Sequence, residues 1–165
     1  MNTVPTATLD HAGIAARVPH SGSMCLLHAV LAWSADDIHC TAHSHSDLNN
    51  PLRGTTGLLS ACAIEYAAQA MAVHAALCGE RSAADAGTTA GATPSPGFLA
   101  SARAVRLWVA RLDMSPGPLH VQARLLAGDG RQAQYRFELH DAEQRPLAEG
   151  RVTVVLNTAL TVATT

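Results

Sequence analysis

Residues 43–74 read HSHSDLNNPLRGTTGLLSACAIEYAAQAMAVH, and the fold turns on how this stretch is read. Its first part is polar and turn-forming and carries His43 and His45. Its last part is rich in Ala, Leu and Met and holds a single carboxylate, Glu65. Asn49, Asn50 and Pro51 must end any strand that precedes them, because these residues favour turns and a proline pushes its predecessor away from the helical region. From 57 to 77 good helix formers follow one another with apolar residues on almost every side. We therefore expect a helix enclosed by other elements, with Thr55 or Thr56 capping its start.

Working outward, residues 9–18 predict a short helix capped by Asp10, with Ile14 and Val18 on one face. An irregular Pro/Gly/Ser segment leads to a strand over 26–33, a turn at Asp36 and Asp37, and a second strand from Ile38. Alternation along that strand places Ile38, Cys40 and Ala42 on one face and His39, Thr41, His43 and His45 on the other. Downstream, 79–97 is small-residue and Gly/Ser/Thr/Pro-rich, which predicts a flexible loop. Strands are expected over 98–112, 118–127, 132–141 and 146–157 as an antiparallel meander, with a frayed tail over 158–165. Alternation is cleanest where Tyr135, Phe137 and Leu139 oppose Gln134, Arg136, Glu138 and His140. Two strands, an enclosed helix and four more strands imply a single α+β domain over 1–165, an antiparallel sheet wrapped around a long central helix.

Composition narrows the function. With 165 residues, 11 Lys plus Arg against 13 Asp plus Glu, and a net charge of −2, the chain has no basic field to attract nucleic acid. Glu65 and Gln69 in the middle of the apolar run argue against a membrane span. The first 20 residues lack the continuous apolar core of a signal peptide, so we expect a cytoplasmic protein. Cys25, Cys40, Cys62 and Cys78 show no CxxC spacing and are expected to be buried thiols in a reducing compartment.

The run IEYAAQAMA over 64–72 resembles the central-helix motif of the hotdog-fold 3-hydroxyacyl carrier-protein dehydratases, in which a Glu is followed four residues later by a Gln. Glu65 and Gln69 match those positions. Pro19-His20, followed by Met24, Cys25, Leu26 and Leu27, is similar to the Pro-His segment before the first strand of FabZ-like dehydratases. His45 followed by Asn50-Pro51 resembles their catalytic histidine and its Asn-Pro turn. The succession of His, Asn-Pro-Leu-Arg and Ile-Glu-Tyr-Ala-Ala-Gln is similar to that of the FabZ-like branch of aryl polyene biosynthesis, and the resemblance spans about 18–156. Two departures stand out: His45 and Glu65 are further apart than in ordinary FabZ-type enzymes, and no Pro-Gly pair precedes the helix.

The resemblance implies a hotdog fold and the dehydration of 3-hydroxyacyl thioesters on acyl carrier protein to trans-2-enoyl thioesters, in fatty acid or aryl polyene biosynthesis. It implies no cofactor beyond the carrier's phosphopantetheine, and an obligate homodimer with active sites at the subunit interface. Such an elimination needs a base for the C2 proton, and imidazole titrates in the right range, which suits His45. It needs a proton donor for the departing C3 hydroxyl, and an apolar helix favours the protonated carboxyl of Glu65. It also needs dipoles on the thioester oxygen, for which backbone N–H groups at Gly57 and Leu58 are candidates. Gln69, Asn50 and Pro51 complete the expected substrate-binding set, with no metal. Arg53, Arg103, Arg106 and Arg111 are candidates to meet the carrier, or else solvated strand residues.

Other readings stand beside these. His43 rivals His45 as base, and His39, His43 and His45 on one strand face suit a metal such as zinc. Glu65 is alternatively hydrogen-bonded to a backbone group or to Tyr135, while His20 and Tyr66 read as capping or packing residues. At the level of function, the alternatives are a hotdog acyl thioesterase and a non-catalytic acyl-carrier binding or partner subunit.

Overall fold

The computed structural model describes residues 8–88 and 97–156. Its elements are α1 (His11–Ala15), β1 (Ala29–Trp33), β2 (Asp37–Ala42), α2 (Ala63–Asp85), β3 (Gly97–Leu107), β4 (Leu119–Gly128), β5 (Gln132–His140) and β6 (Pro146–Leu156). Six antiparallel strands in the order β1-β2-β4-β5-β6-β3 form one sheet, and α2 packs on β2, β4 and β5. This is the α+β hotdog fold, a sheet wrapped around a long central helix.

Alternation explains the core. Ile38, Cys40, Leu119, Val121, Phe137 and Leu139 all turn to the helix side and are at most 1% exposed. On α2, Ala63, Ala67 and Ala70 meet the sheet with almost no side-chain bulk, so helix and strands approach closely. At the N-terminal side, Asp10 caps α1 by accepting from the Gly13 N–H at 2.9 Å, and Ile14 and Val18 are buried as the sequence predicts.

Four expectations need correction. The four C-terminal strands are not a sequential meander: β4, β5 and β6 are, but β3 pairs with β6. The free edge of β4 is taken by β2, from Asp37↔Arg124 to Ala42↔Leu119, so β3 can only join at the far side. The central helix begins later and ends later than predicted. A 3-10 turn at Ser60–Cys62 leads into α2, whose cap residue Cys62 makes no side-chain cap bond, while Thr55 and Thr56 sit exposed in the preceding turn. The loop expected from Gly79 is helical through Asp85, because Ala83, Ala84 and the Arg17–Glu80 ion pair (2.8 Å) favour continuation. The rest of that predicted loop, 89–96, and the predicted tail, 158–165, lie outside the described residues. Finally, α2 is not enclosed on every side by its own chain. Ser60–Asp85 is long and apolar enough to cross a membrane by length and composition, yet half of its most apolar 18-residue stretch is buried within the chain, as for a core helix.

Gly150 tests this packing. It pairs with Phe137 across β5 and β6, and a Cβ there would stand 2.8 Å from Phe137 Cε1 and 3.0 Å from Val105 Cγ2. Gly150→Ala should therefore lower stability by about 1–3 kcal/mol in urea unfolding. An unchanged midpoint would mean that the ring does not cover the glycine.

Candidate active site

Strand β2 stops at Ala42, and the chain turns through a 3-10 segment, Ser44–Ser46, that swings the His45 ring inward. His45 is 0% exposed. Its Nε2 lies 3.1 Å from the Ser115 carbonyl oxygen, and because a carbonyl only accepts, Nε2 carries the proton. Nδ1 is buried with no hydrogen-bond partner among the described residues. Burial holds the imidazole below its ordinary value, and nearby His43 pushes the same way; the Ser115 carbonyl and the Asp113 charge push back. A neutral ring with one free nitrogen lone pair results, which is what a base requires.

The loop around His45 is fixed to α2 by a closed hydrogen-bond network. Asn50 Nδ2 donates to the Ser44 carbonyl (2.8 Å) and to the Tyr66 hydroxyl (3.1 Å), and Asn50 Oδ1 accepts from Leu52 N–H (2.9 Å). Ser44 Oγ donates to the Leu26 carbonyl at 2.8 Å, which leaves it to accept the Tyr66 O–H at 2.8 Å. Tyr66 is fully buried, and burial moves the titration of its hydroxyl above the ordinary value against the opposing pull of the Ser44 and Asn50 bonds. One turn along α2, fully buried Gln69 accepts from Leu26 N–H (2.9 Å) and donates to the Met24 carbonyl (2.8 Å) and to Glu65 Oε1 (3.0 Å). The Met24–Leu26 segment is thus tied to both residues. Glu65 also meets His20 Nε2 at 3.3 Å, with its side chain 32% exposed.

These distances sort the expected residues. Glu65, Gln69 and His20 come together, which unites the Pro-His segment with the helix motif. His45 and Asn50 come together in a second group, while Pro51 is exposed on the loop. No hydrogen bond or ion pair joins His45 to Glu65 among the described residues. The expected placement of Gly57 and Leu58 at the start of the central helix is corrected: neither residue is in the helix. The Gly57 N–H donates to the Gly54 carbonyl at 3.1 Å, and the Leu58 backbone helps to hold the Asp113 carboxyl below its ordinary value. Glu65 is a third exposed rather than enclosed, and Tyr135 instead holds His74 Nδ1 at 2.9 Å.

The three-histidine strand face is also corrected, because β2 ends before His43. His39 Nε2 contacts His120 Nδ1 at 2.9 Å, and His43 sets its ring edge-on to His28 at 4.7 Å. Among the described residues no group of three His, Cys, Asp or Glu is placed to hold a metal ion. Arg53 and Arg111, expected to face outward, instead turn onto Asp113, at 3.0 Å and 2.5 Å. Sequence reasoning missed Ser44, Asp113 and Ser115. Only the Ser115-Pro116-Gly117-Pro118 turn signal pointed towards the last, and nothing local marked the other two.

Comparison with known proteins bears directly on this arrangement. The family described as "ApeP-like: ApeP dehydratase" matches residues 12–164. Among solved structures, the chain is similar to "The Dehydratase Heterocomplex ApeI:P from Xenorhabdus doucetiae", at 25% identity and a TM-score of 0.72 over 88% of this chain and 91% of that one. It is also similar to a mutant of thioesterase PA1618 from Pseudomonas aeruginosa, at 13% identity and a TM-score of 0.59 over 93% and 98%. Thioesterase HI1161 from Haemophilus influenzae matches at 12% identity and a TM-score of 0.57 over 98% and 100%. These two share the fold alone. No curated protein matches the sequence. The ApeI:P assembly overturns the expected homodimer and the expectation of acyl carrier protein as the partner, since there two different chains associate. Read together with the buried His45 and the Glu65–Gln69 helix, the family match shows that this chain belongs to the ApeP dehydratase family.

Proposed function

We propose that this dehydratase removes water from a 3-hydroxyacyl thioester with His45 as the base and Glu65 as an acid. The observation that carries the reading is the free, buried Nδ1 of a neutral His45. Nδ1 takes the C2 proton, the C2–H electrons form the C2=C3 bond, and the C3–O bond breaks as a carboxyl group delivers the proton that turns hydroxide into water. A trans-2-enoyl thioester remains, with the acyl group still attached.

Within the chain, Glu65 is engaged with Gln69 and His20 while His45 is engaged with Ser115. Each therefore works opposite a complementary group from a second, non-identical chain, a carboxyl facing His45 and an imidazole facing Glu65. The composition of the ApeI:P assembly supports such pairing. Gln69 orients the Glu65 carboxylate by donating to Oε1, leaving Oε2 for proton transfer. His20 on the same oxygen holds it from the other side.

The test is elimination from a 3-hydroxyacyl pantetheine thioester by the purified assembly, read by mass. His45→Ala combined with Glu65→Gln in this chain should stay folded and assembled and lose about 10²–10⁴-fold in kcat/KM. Full activity in that double variant would sink the proposal, and a free acid as product would make the protein a thioesterase.

With Glu65→Gln alone, the remaining centre reports on His45. Because burial lowers its proton affinity, the acid limb of kcat/KM should fall at a pH below the ordinary histidine value of about 6.5 and stay flat up to neutrality. An acid limb above that value would contradict a desolvated base.

A further inference from the structure

Asp113 gathers three separate segments onto one carboxylate. Its side chain is only 3% exposed. Oδ1 accepts from Arg111 Nε at 2.9 Å, and Oδ2 accepts from Arg111 Nη2 at 2.5 Å and from Arg53 Nη2 at 3.0 Å. The arginines, foremost Arg111, and the nearby Leu58 backbone hold the carboxyl well below its ordinary value. Arg53 belongs to the His45 loop, where its own N–H bonds to the Asn50 carbonyl at 3.0 Å. Leu58 precedes the central helix, and Arg111 lies in the stretch between β3 and β4. Gly57, at φ +107°, leaves room for the Arg111 guanidinium, which a Cβ would strike. Two residues beyond Asp113 stands Ser115, whose carbonyl takes the His45 Nε2 proton. Leu112 N–H to the Leu58 carbonyl (2.8 Å) and Ser115 N–H to the Leu112 carbonyl (3.0 Å) brace the turn between them.

We propose that Asp113 is a positioning residue that, through Arg53 on one side and the Ser115 turn on the other, holds the His45 ring in its Nε2–H tautomer with Nδ1 free. The inference rests on His45 being the base. A carboxylate with bidentate Arg111 and a second arginine is rigid in direction as well as charge. It fixes the acceptor carbonyl relative to the loop that carries the ring. The groups acting on His45 are His43 on its own loop, the Ser115 carbonyl, and Asp113 with its partners Arg53 and Arg111. Asp113 raises the basicity of the ring, whereas His43 lowers it. Without the carboxylate charge, two arginines would face the loop uncompensated and the imidazole would become a weaker base.

The experiment compares the wild-type chain with Asp113→Asn. Ring tautomers are read by long-range ¹H–¹⁵N correlation on the labelled full chain at neutral pH, and kinetics are measured on the assembly. The wild type should show a neutral His45 with the proton on Nε2, and Asp113→Asn a mixture of tautomers. With Glu65→Gln present in both proteins, so that only the His45 centre turns over, kcat should drop roughly tenfold or more on Asp113→Asn with KM nearly unchanged, and the acid limb should move to lower pH. A purely structural role would lower only the unfolding midpoint. If Asp113→Asn does not fold, Arg53→Lys, which keeps the charge but loses the planar fork, should give the same changes to a smaller degree. A wild-type tautomer and an unmoved acid limb in the folded variant would overturn the inference. The ring spectrum is independent of turnover, so a shifted tautomer alongside a fully active His45→Ala/Glu65→Gln assembly would indict the base assignment instead.

Discussion

The anchoring of two irregular segments by Tyr66 and Gln69 is the constraint on which the site depends. Most of the buried face of α2 is small or apolar, so it gains area but offers little direction. Two polar side chains three residues apart supply the direction. Each is fully buried and finds its partners in backbone or side-chain groups of the Met24–Leu26 segment and the His45 loop. Leaving such a group unpaired in the core costs about 1–3 kcal/mol, so the network defines one arrangement rather than several. The Asn-Pro turn belongs to the same device. Asn50 spends both Nδ2 bonds and its carbonyl on closing the loop, so it acts as a clasp.

Much of this architecture was legible because it rests on period and punctuation. The alternation of Tyr135, Phe137 and Leu139, the Asn-Pro break after His45 and the Ala-rich run each report a local preference. The sheet order was not legible. Strand β3 joins β6 because β4 already has a neighbour, and occupancy of an edge is a global fact no local pattern records. The helix start was misplaced for a related reason. Gly57 looks like the entrance to a helix, but its backbone serves a small bridge with Gly54 and gives way to Arg111. Of the site, the motif residues His45, Glu65 and Gln69 could be found from sequence. Ser115 and Asp113 could not, since the contacts that matter span some 70 residues and involve a main-chain carbonyl.

The division of the site follows from the same geometry. His45 and Glu65 lie in two hydrogen-bonded groups tied to neighbouring turns of one helix, each committed to its own partners. The helix keeps a half-exposed side and β3 has one unpaired edge, with Leu99, Leu107 and Trp108 between 44% and 48% exposed. These features leave apolar surface of the helix and of the β3 side uncovered by the described residues. The departures from ordinary FabZ-type spacing fall in the 51–59 turn, the segment that Arg53 attaches to Asp113.

The central claim, that the Tyr66 hydroxyl holds the His45 loop in its working shape, is tested most directly by amide hydrogen exchange on Tyr66→Phe. This change removes the bonds to Asn50 and Ser44 while preserving the buried ring. The account predicts that protected amides over 44–53 exchange roughly ten- to a hundredfold faster, matching the loss of about 1–3 kcal/mol, while β4 and β5 keep their protection. Unchanged exchange in the loop of a folded Tyr66→Phe protein would contradict it.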